Sequence, residues 1–197
     1  MYLASKLKKM ATTKWAIDPT HSEIHFKVKH LMITTVTGSF KNFTAAAETA
    51  SEDFSNAAIS FSADTNSVST GNEQRDGHLQ SADFFDAEKF PTLSFASTSY
   101  TKKGDDEFAL TGNLTIKDVT KPVTLAVEFG GVAKDPWGNT KAGFTLSGKI
   151  NRKDFGLNWN AVTEAGGLLV SEEVKISAEI QLVQQVEAAV AAQEAAV

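Results

Sequence analysis

Phe108-Ala-Leu-Thr-Gly-Asn-Leu-Thr-Ile116 alternates without a slip. Phe108, Leu110, Gly112, Leu114 and Ile116 fall on one side of an extended chain, and Ala109, Thr111, Asn113 and Thr115 on the other. Period two is the pattern of a β-strand with one face buried. Working outward, the same pattern recurs six times. Upstream, Ile24, Phe26 and Val28 alternate with Glu23, His25, Lys27 and Lys29. Ala57, Ile59, Phe61 and Ala63 alternate with Ala58, Ser60 and Ser62, and Leu93 and Phe95 with Thr92, Ser94 and Ala96. Downstream come Val123 to Phe129, Phe144 to Ile150, and Val174 to Leu182. Turn chemistry punctuates these runs at Thr37–Gly38, Lys103 to Asp106, Lys121–Pro122, Asp135 to Asn139 and Gly166–Gly167.

Strands at short intervals joined by hairpin loops predict an all-β antiparallel barrel or sandwich. Alternation alone does not separate the two. Two features lean towards a barrel: glycines on the inward face at Gly112 and Gly148, which relieve crowding or leave room, and an inward set rich in Phe, Leu and Ile. That set would line a cavity as readily as fill a core. Ile24, Phe26, Val28, Ile59, Phe61, Phe95, Leu110, Leu114, Phe144 and Leu146 are expected to point inward.

One segment breaks the period. Asn72 to Lys89 suits one or two short helical turns, with Asn72 or Gly71 starting the first, Ser81 capping the second and Pro91 stopping it. Such an insert could cover one barrel end, with Leu79, Phe84 and Phe85 as the cap. The expected division is an N-terminal extension over 1–13, a barrel over 14–183 and an Ala-rich tail over 184–197. In the tail, Val183, Val186, Val190 and Val197 follow an incomplete helical spacing, which reads as a frayed end or as a helix docked on the barrel or a partner.

Composition excludes several function classes. With no cysteine there is no disulfide, thiolate nucleophile or cysteine-ligated metal. The 19 Lys+Arg are outnumbered by 24 Asp+Glu, and only Arg75 and Arg152 are arginines, so a nucleic-acid partner is disfavoured. No run approaches the roughly 20 apolar residues of a spanning helix. Met1 to Met10 is basic but lacks an apolar core and a cleavage motif. The expected compartment is the cytoplasm, or the periplasm if a leader has been removed.

Catalytic signatures are missing. There is no G-x-S-x-G elbow, and His21 and Ser22 would face opposite sides of a strand. His21 and His25 share a face but stand roughly 13 Å apart in extended chain, and His25 is expected to face solvent. A metal site joining His21 to His78 would need further carboxylate ligands, and none is assigned. Gly166–Gly167 is expected to open a hairpin rather than a phosphate loop. Arg75, Asp76, His78 and Asp83 form a cluster with two readings. Either Arg75 pairs with Asp76 or Asp83 and pins the insert, or the cluster touches a ligand head group. Arg152 is expected to be spent on the protein itself. The expectation is therefore a neutral or weakly polar ligand head rather than a pyrophosphate.

Several motifs together carry a resemblance. They are W15-A-I-D18-P-T-H21-S22-E-I-H-F-K-V-K-H30-L-M32, T37-G-S-F40, N72-E-Q-R75-D76-G-H78-L79-Q-S81-A-D83-F84-F85-D86, P91-T-L-S-F95, L114-T-I-K-D-V119-T120-K-P122-V and N151-R152-K-D154-F155-G156-L157-N-W159. In this order, from about Trp15 to Leu182, the chain resembles the YceI-like family. The resemblance implies an extended eight-stranded antiparallel lipocalin-like barrel. It also implies a non-catalytic protein, commonly a homodimer, that transports or sequesters a long-chain apolar molecule such as a polyisoprenoid, a quinone or a fatty amide. With Phe40 and Trp159 added to the inward set and to Leu79, Phe84 and Phe85, fifteen residues are expected to bind that ligand. No cofactor is implied. An enzyme acting on a lipid or isoprenoid is the alternative.

Overall fold

The computed structural model describes residues 12–161 and 168–185. Eleven strands form one sheet: β1 (Thr13–Ile17), β2 (Glu23–His30), β3 (Thr34–Phe40), β4 (Phe43–Thr49), β5 (Ala58–Asp64), β6 (Val68–Ser69), β7 (Thr92–Lys102), β8 (Glu107–Ile116), β9 (Val119–Lys134), β10 (Thr140–Asn151) and β11 (Val170–Gln185). All pairings are antiparallel, and they make eight staves rather than eleven. β1 and β2 both lie along β11, at Leu182–Gln185 and Val170–Glu179 respectively, so they are two lengths of one stave. In the same way β3 continues into β4, and β5 into β6. The staves then follow chain order, and β11 returns to β1 and β2 to close the barrel. Closure leaves no long unpaired edge.

The break in the first stave has a local cause. Between β1 and β2, Pro19 cannot donate a ladder hydrogen bond. A 3₁₀ turn over Pro19–His21 takes its place, capped by Asp18 Oδ1 accepting from Thr20 N at 3.1 Å. Asp18 Oδ2 receives Lys141 Nζ at 2.7 Å and Gln181 Nε2 at 3.0 Å, which ties the break to β10 and β11. The Lys141 ammonium, then the Thr20 hydroxyl, hold this carboxyl far below the usual carboxylate range.

The seven alternating runs are all strands, and the structure adds the β3–β4 stave to them. Two turn assignments are corrected. Thr37–Gly38 lies inside β3, with Gly38 directly opposite Phe26. A Cβ on Gly38 would overlap the Phe26 ring, which crosses the backbone there; the glycine serves packing and not a turn. The β2–β3 turn is Leu31-Met32-Ile33. Likewise Lys121–Pro122 lies within β9, opposite Leu114 and Asn113, and the β8–β9 turn is Lys117–Asp118. Gly166–Gly167, the first residues of the N-terminal extension and most of the tail lie outside the described residues.

The insert forms one helix, α1 (Glu73–Gln80), N-capped by Asn72 Oδ1 accepting from Arg75 N at 2.9 Å. Ser81 ends this helix instead of starting a second: its hydroxyl donates to the His78 carbonyl at 2.7 Å, and turns continue to Phe90. The opposite barrel end is plugged. The loop between β4 and β5 carries Phe54, 2% exposed, beneath the barrel, where its ring lies 4.9 Å from those of Trp15 and Phe144 and 5.8 Å from Phe129. Among the described residues no helix is long and apolar enough to cross a membrane.

Candidate functional site

Between plug and insert the barrel encloses a cavity of about 600 Å³. An eight-stranded barrel is wide enough either to be filled by its own side chains or to hold one small ligand. Here alternation turns apolar residues of every stave inward, yet they do not meet across the axis. Phe26, Ile59, Phe61, Leu125, Phe144, Leu146 and Ile150 are only partly buried although they face inward. All fifteen residues singled out from sequence line this space: Ile24, Phe26, Val28, Phe40, Ile59, Phe61, Leu79, Phe84, Phe85, Phe95, Leu110, Leu114, Phe144, Leu146 and Trp159.

Glycine shapes the wall. A Cβ on Gly38 would strike the Phe26 ring, one on Gly112 the Phe95 ring, and one on Gly148 the Leu125 side chain. Each lumen side chain folds down over a bare patch of backbone and keeps off the axis. The inward glycines therefore help hold the lumen open.

Polar groups gather at the mouth, where Thr34, Thr70, Arg75, His78, Arg152 and Trp159 join the lining. Arg152 is 3% exposed and its guanidinium is spent on backbone carbonyls. It donates to Ser171 O at 2.9 Å, to Trp159 O at 2.8 Å, to Val170 O at 3.4 Å and to Leu157 O. Burial pushes its pKa down, with Glu172 opposing. The residue sews the Leu157–Trp159 segment to the start of β11. His78 Nε2 pairs with Asp83 Oδ2 at 2.8 Å, and its ring packs edge-on against Phe84 and Trp159.

Arg75 departs from expectation. No carboxylate lies within ion-pair range of it among the described residues. Its Nε and Nη2 donate to Thr70 Oγ1 at 2.7 Å and to Thr70 O at 3.0 Å. Asp76 turns to the Thr70 N–H (2.8 Å) and hydroxyl (2.5 Å), and Asp83 is held by His78. Neighbours in a helix do not face each other, so adjacency of Arg75 and Asp76 in sequence carries no ion pair. His25 also departs from expectation. It is half-buried, its Nε2 lies 3.3 Å from Glu23 Oε2, and its Nδ1 is enclosed without a partner among the described residues.

His21 and His78 do not meet. His21 sits on Asp18 beside the lower part of β11, and His78 sits at the mouth. Among the described residues no three His, Cys, Asp or Glu side chains converge as a metal site. Sequence reasoning missed Tyr100 and Phe54. A bulge in β7 between Ser97 and Ser99 reverses the inward face and brings Tyr100 into the wall. Burial, with Asp53 adding to it, pushes the Tyr100 phenol well above its usual range.

Comparison with known proteins agrees with this geometry. The profile of the YceI-like domain matches residues 15–182. A UPF0312 protein of Staphylococcus aureus (strain N315) is 39% identical over 167 residues, 84% of this chain and 95% of that protein. The crystal structure of a Campylobacter jejuni YCEI protein superposes with TM-score 0.69 at 34% identity, covering 81% of this chain and 91% of that one. A polyisoprenoid binding domain from Saccharophagus degradans superposes with TM-score 0.64 over 87% of this chain and 98% of that one, at 14% identity, a likeness of fold.

Proposed function

The chain belongs to the YceI-like family, and we propose that it binds a long-chain apolar molecule, such as a polyisoprenoid, a quinone or a fatty amide, in the barrel lumen for transport or sequestration. One observation carries this reading. The cavity of about 600 Å³ is walled by apolar side chains from every stave, and its two arginines lie at the mouth. A chain drawn into such a lumen gains about 25 cal/mol for each Å² of apolar surface removed from water. The volume lies within the range of small-molecule sites, about 300–1,000 Å³. The polyisoprenoid binding described for the Saccharophagus degradans domain of the same fold supports the ligand class.

The mouth groups bear on the head. Arg152 and His78 are committed to carbonyls and to Asp83. Arg75 keeps Nη1 without a partner among the described residues. One spare donor suits a carbonyl or amide head, whereas a pyrophosphate asks for several cations or a metal. Binding and carriage need no bond broken.

The test is extraction of protein purified from its host, followed by mass analysis. A single co-purifying long-chain species, displaced by added prenyl alcohol, is expected. Stoichiometrically empty protein that also fails to take up prenyl and fatty probes would sink the proposal. At equal chain length, a prenyl pyrophosphate that outcompetes the alcohol by tenfold, about 1.4 kcal/mol, would overturn the head-group part alone.

A further inference from the structure

The β2–β3 hairpin turns on Leu31, Met32 and Ile33, and all three side chains face water: Ile33 is 77% exposed and Met32 63%. The turn needs left-handed backbone, with φ +51° at Leu31 and +61° at Met32. Such turns ordinarily take Asn-Gly, because bulky side chains disfavour that region. Large apolar residues here stabilise neither the turn nor the core. A rule broken locally without a gain in folding marks a surface with another use.

The tip belongs to the cavity rim. His30 and Thr34, on either side of it, line the mouth. The Leu31 N–H donates to Leu169 O at 2.8 Å, which places Leu168, itself 40% exposed, beside the tip. Charge follows the same face. Lys27, Lys175 and Lys149 stand directly opposite one another across β2, β11 and β10, a like-charged row that costs stability. Lys149 meets Glu173 at 3.0 Å, but Lys27, Lys29 and Lys175 have no carboxylate in range among the described residues. Lys29 lies in β2 two residues before Leu31, about 7 Å in extended chain. That spacing matches apolar residues seated about 5–10 Å into an interface with cations at the headgroups.

We propose that this end of the barrel docks on a lipid bilayer carrying acidic headgroups. Leu31, Met32, Ile33 and Leu168 enter the interfacial zone, and Lys27, Lys29 and Lys175 face the headgroups. The formal charge of −5 opposes approach from afar, but screening over about 10 Å leaves the local row dominant at contact. The inference rests on the lumen-binding reading for its purpose: an apolar cargo passes between bilayer and barrel without crossing water.

The test is flotation of the full chain with phosphatidylcholine vesicles, with and without phosphatidylglycerol. Uptake of a monomeric prenyl alcohol probe from dilute solution is measured in parallel. The wild type is expected to float with the acidic vesicles and to release with salt. Met32→Ser with Ile33→Ser is expected to weaken flotation by about tenfold or more, as is Lys27→Gln with Lys175→Gln, while probe uptake from solution persists. Trp137→Ser, at an 84% exposed tryptophan on the opposite end, is expected to change nothing. Docking is overturned if the wild type does not float at low salt, or if Trp137→Ser lowers flotation as much as the tip variant. It is also overturned if the tip variant dissociates a dimer without changing flotation, which would assign the patch to a second copy. Uptake without flotation removes docking alone; flotation without uptake removes the lumen reading alone.

Discussion

Replacing Gly38 with alanine tests whether the inward glycines keep the lumen open. An ideal Cβ at Gly38 lies 2.7 Å from Phe26 Cε1, and closer still to the ring tip. An ordinary carbon contact is about 3.5–4.0 Å, so the ring must retreat by roughly 1 Å or more. Behind it lies the cavity, which Phe26 already lines, so the ring swings towards the axis. The stability cost should fall at the low end of overpacking, about 1 kcal/mol. The lower chain entropy of alanine offsets about 0.4–1 kcal/mol of it, because Gly38 is not in the left-handed region. The net shift in Tm should then be a few degrees at most, by the scale of about 2–4 °C per kcal/mol for a chain this long. Binding suffers more. A displaced ring takes the place of about two ligand methylenes, each worth about 0.8 kcal/mol when buried. Affinity for a long-chain probe should fall by about tenfold or more, and a short-chain probe should lose less. The measurements are probe titration by fluorescence and thermal unfolding on the same preparations. Unchanged affinity in folded protein would refute the reasoning, as would equal losses for short and long probes.

Gly112→Ala should behave in the opposite sense. Its Cβ meets the Ala96 carbonyl at 2.5 Å as well as the Phe95 ring, and backbone cannot swing aside, so stability should drop by about 1–3 kcal/mol in urea unfolding. Phe61→Asp should abolish uptake of an apolar probe, since an unpaired carboxylate on the lumen wall is costly to bury; retained uptake in folded variant contradicts the lumen model. Asp18→Ala should cost about 1.5–3 kcal/mol at pH 7 through the lost charged hydrogen bonds. The folded-state pKa of Asp18 is depressed, so its contribution is complete above the unfolded value of about 3.9 and fades as pH falls further. Urea midpoints of variant and wild type should therefore converge between pH 5 and strong acid; a gap that is constant with pH rules the mechanism out.

Strands were legible in this sequence wherever large apolar residues alternate with polar ones, as in Phe108–Ile116. The β3–β4 stave was not. Its run of Thr34, Thr35, Thr37, Ala45, Ala46 and Ala47 offers small side chains on both faces, so no period stands out. Gly38 imitates a turn because composition cannot show that its missing side chain makes room for a ring on the next strand. The real turn, Leu31-Met32-Ile33, lacks every turn residue and so was invisible. Tyr100 was lost to a bulge, which reverses the face midway along β7, and Phe54 is a lone aromatic in a polar loop. The lining was legible because facing inward follows from period alone. The partners of Arg75 were not, because they depend on how α1 is rotated against Thr70.

The unequal spread of packing explains how a stable protein keeps an open interior. Folding normally closes apolar walls on one another, and a cavity forfeits contact energy around its lining. Here tight packing is found at both ends: at the plug, Trp15, Phe54, Tyr100 and Phe108 are each no more than 6% exposed and their rings meet one another or Phe129 and Phe144 at 4.6–6.4 Å, and around the mouth Leu93, Ile116, Phe155 and Leu157 are equally buried. The closed ladder satisfies the backbone around the whole circumference without help from the interior. Towards the mouth, Arg152 and His78 add polar contacts that secure the covering segments beside that packing. Ligand burial can then supply the contacts that the lumen walls do not give each other. It follows that the protein with a chain bound should be more stable than without, by RT ln(1 + [L]/Kd), about 2.7 kcal/mol at a hundredfold excess over Kd. That gain should vanish in Phe61→Asp and shrink in Gly38→Ala, because in both the wall, and not the plug, has been altered.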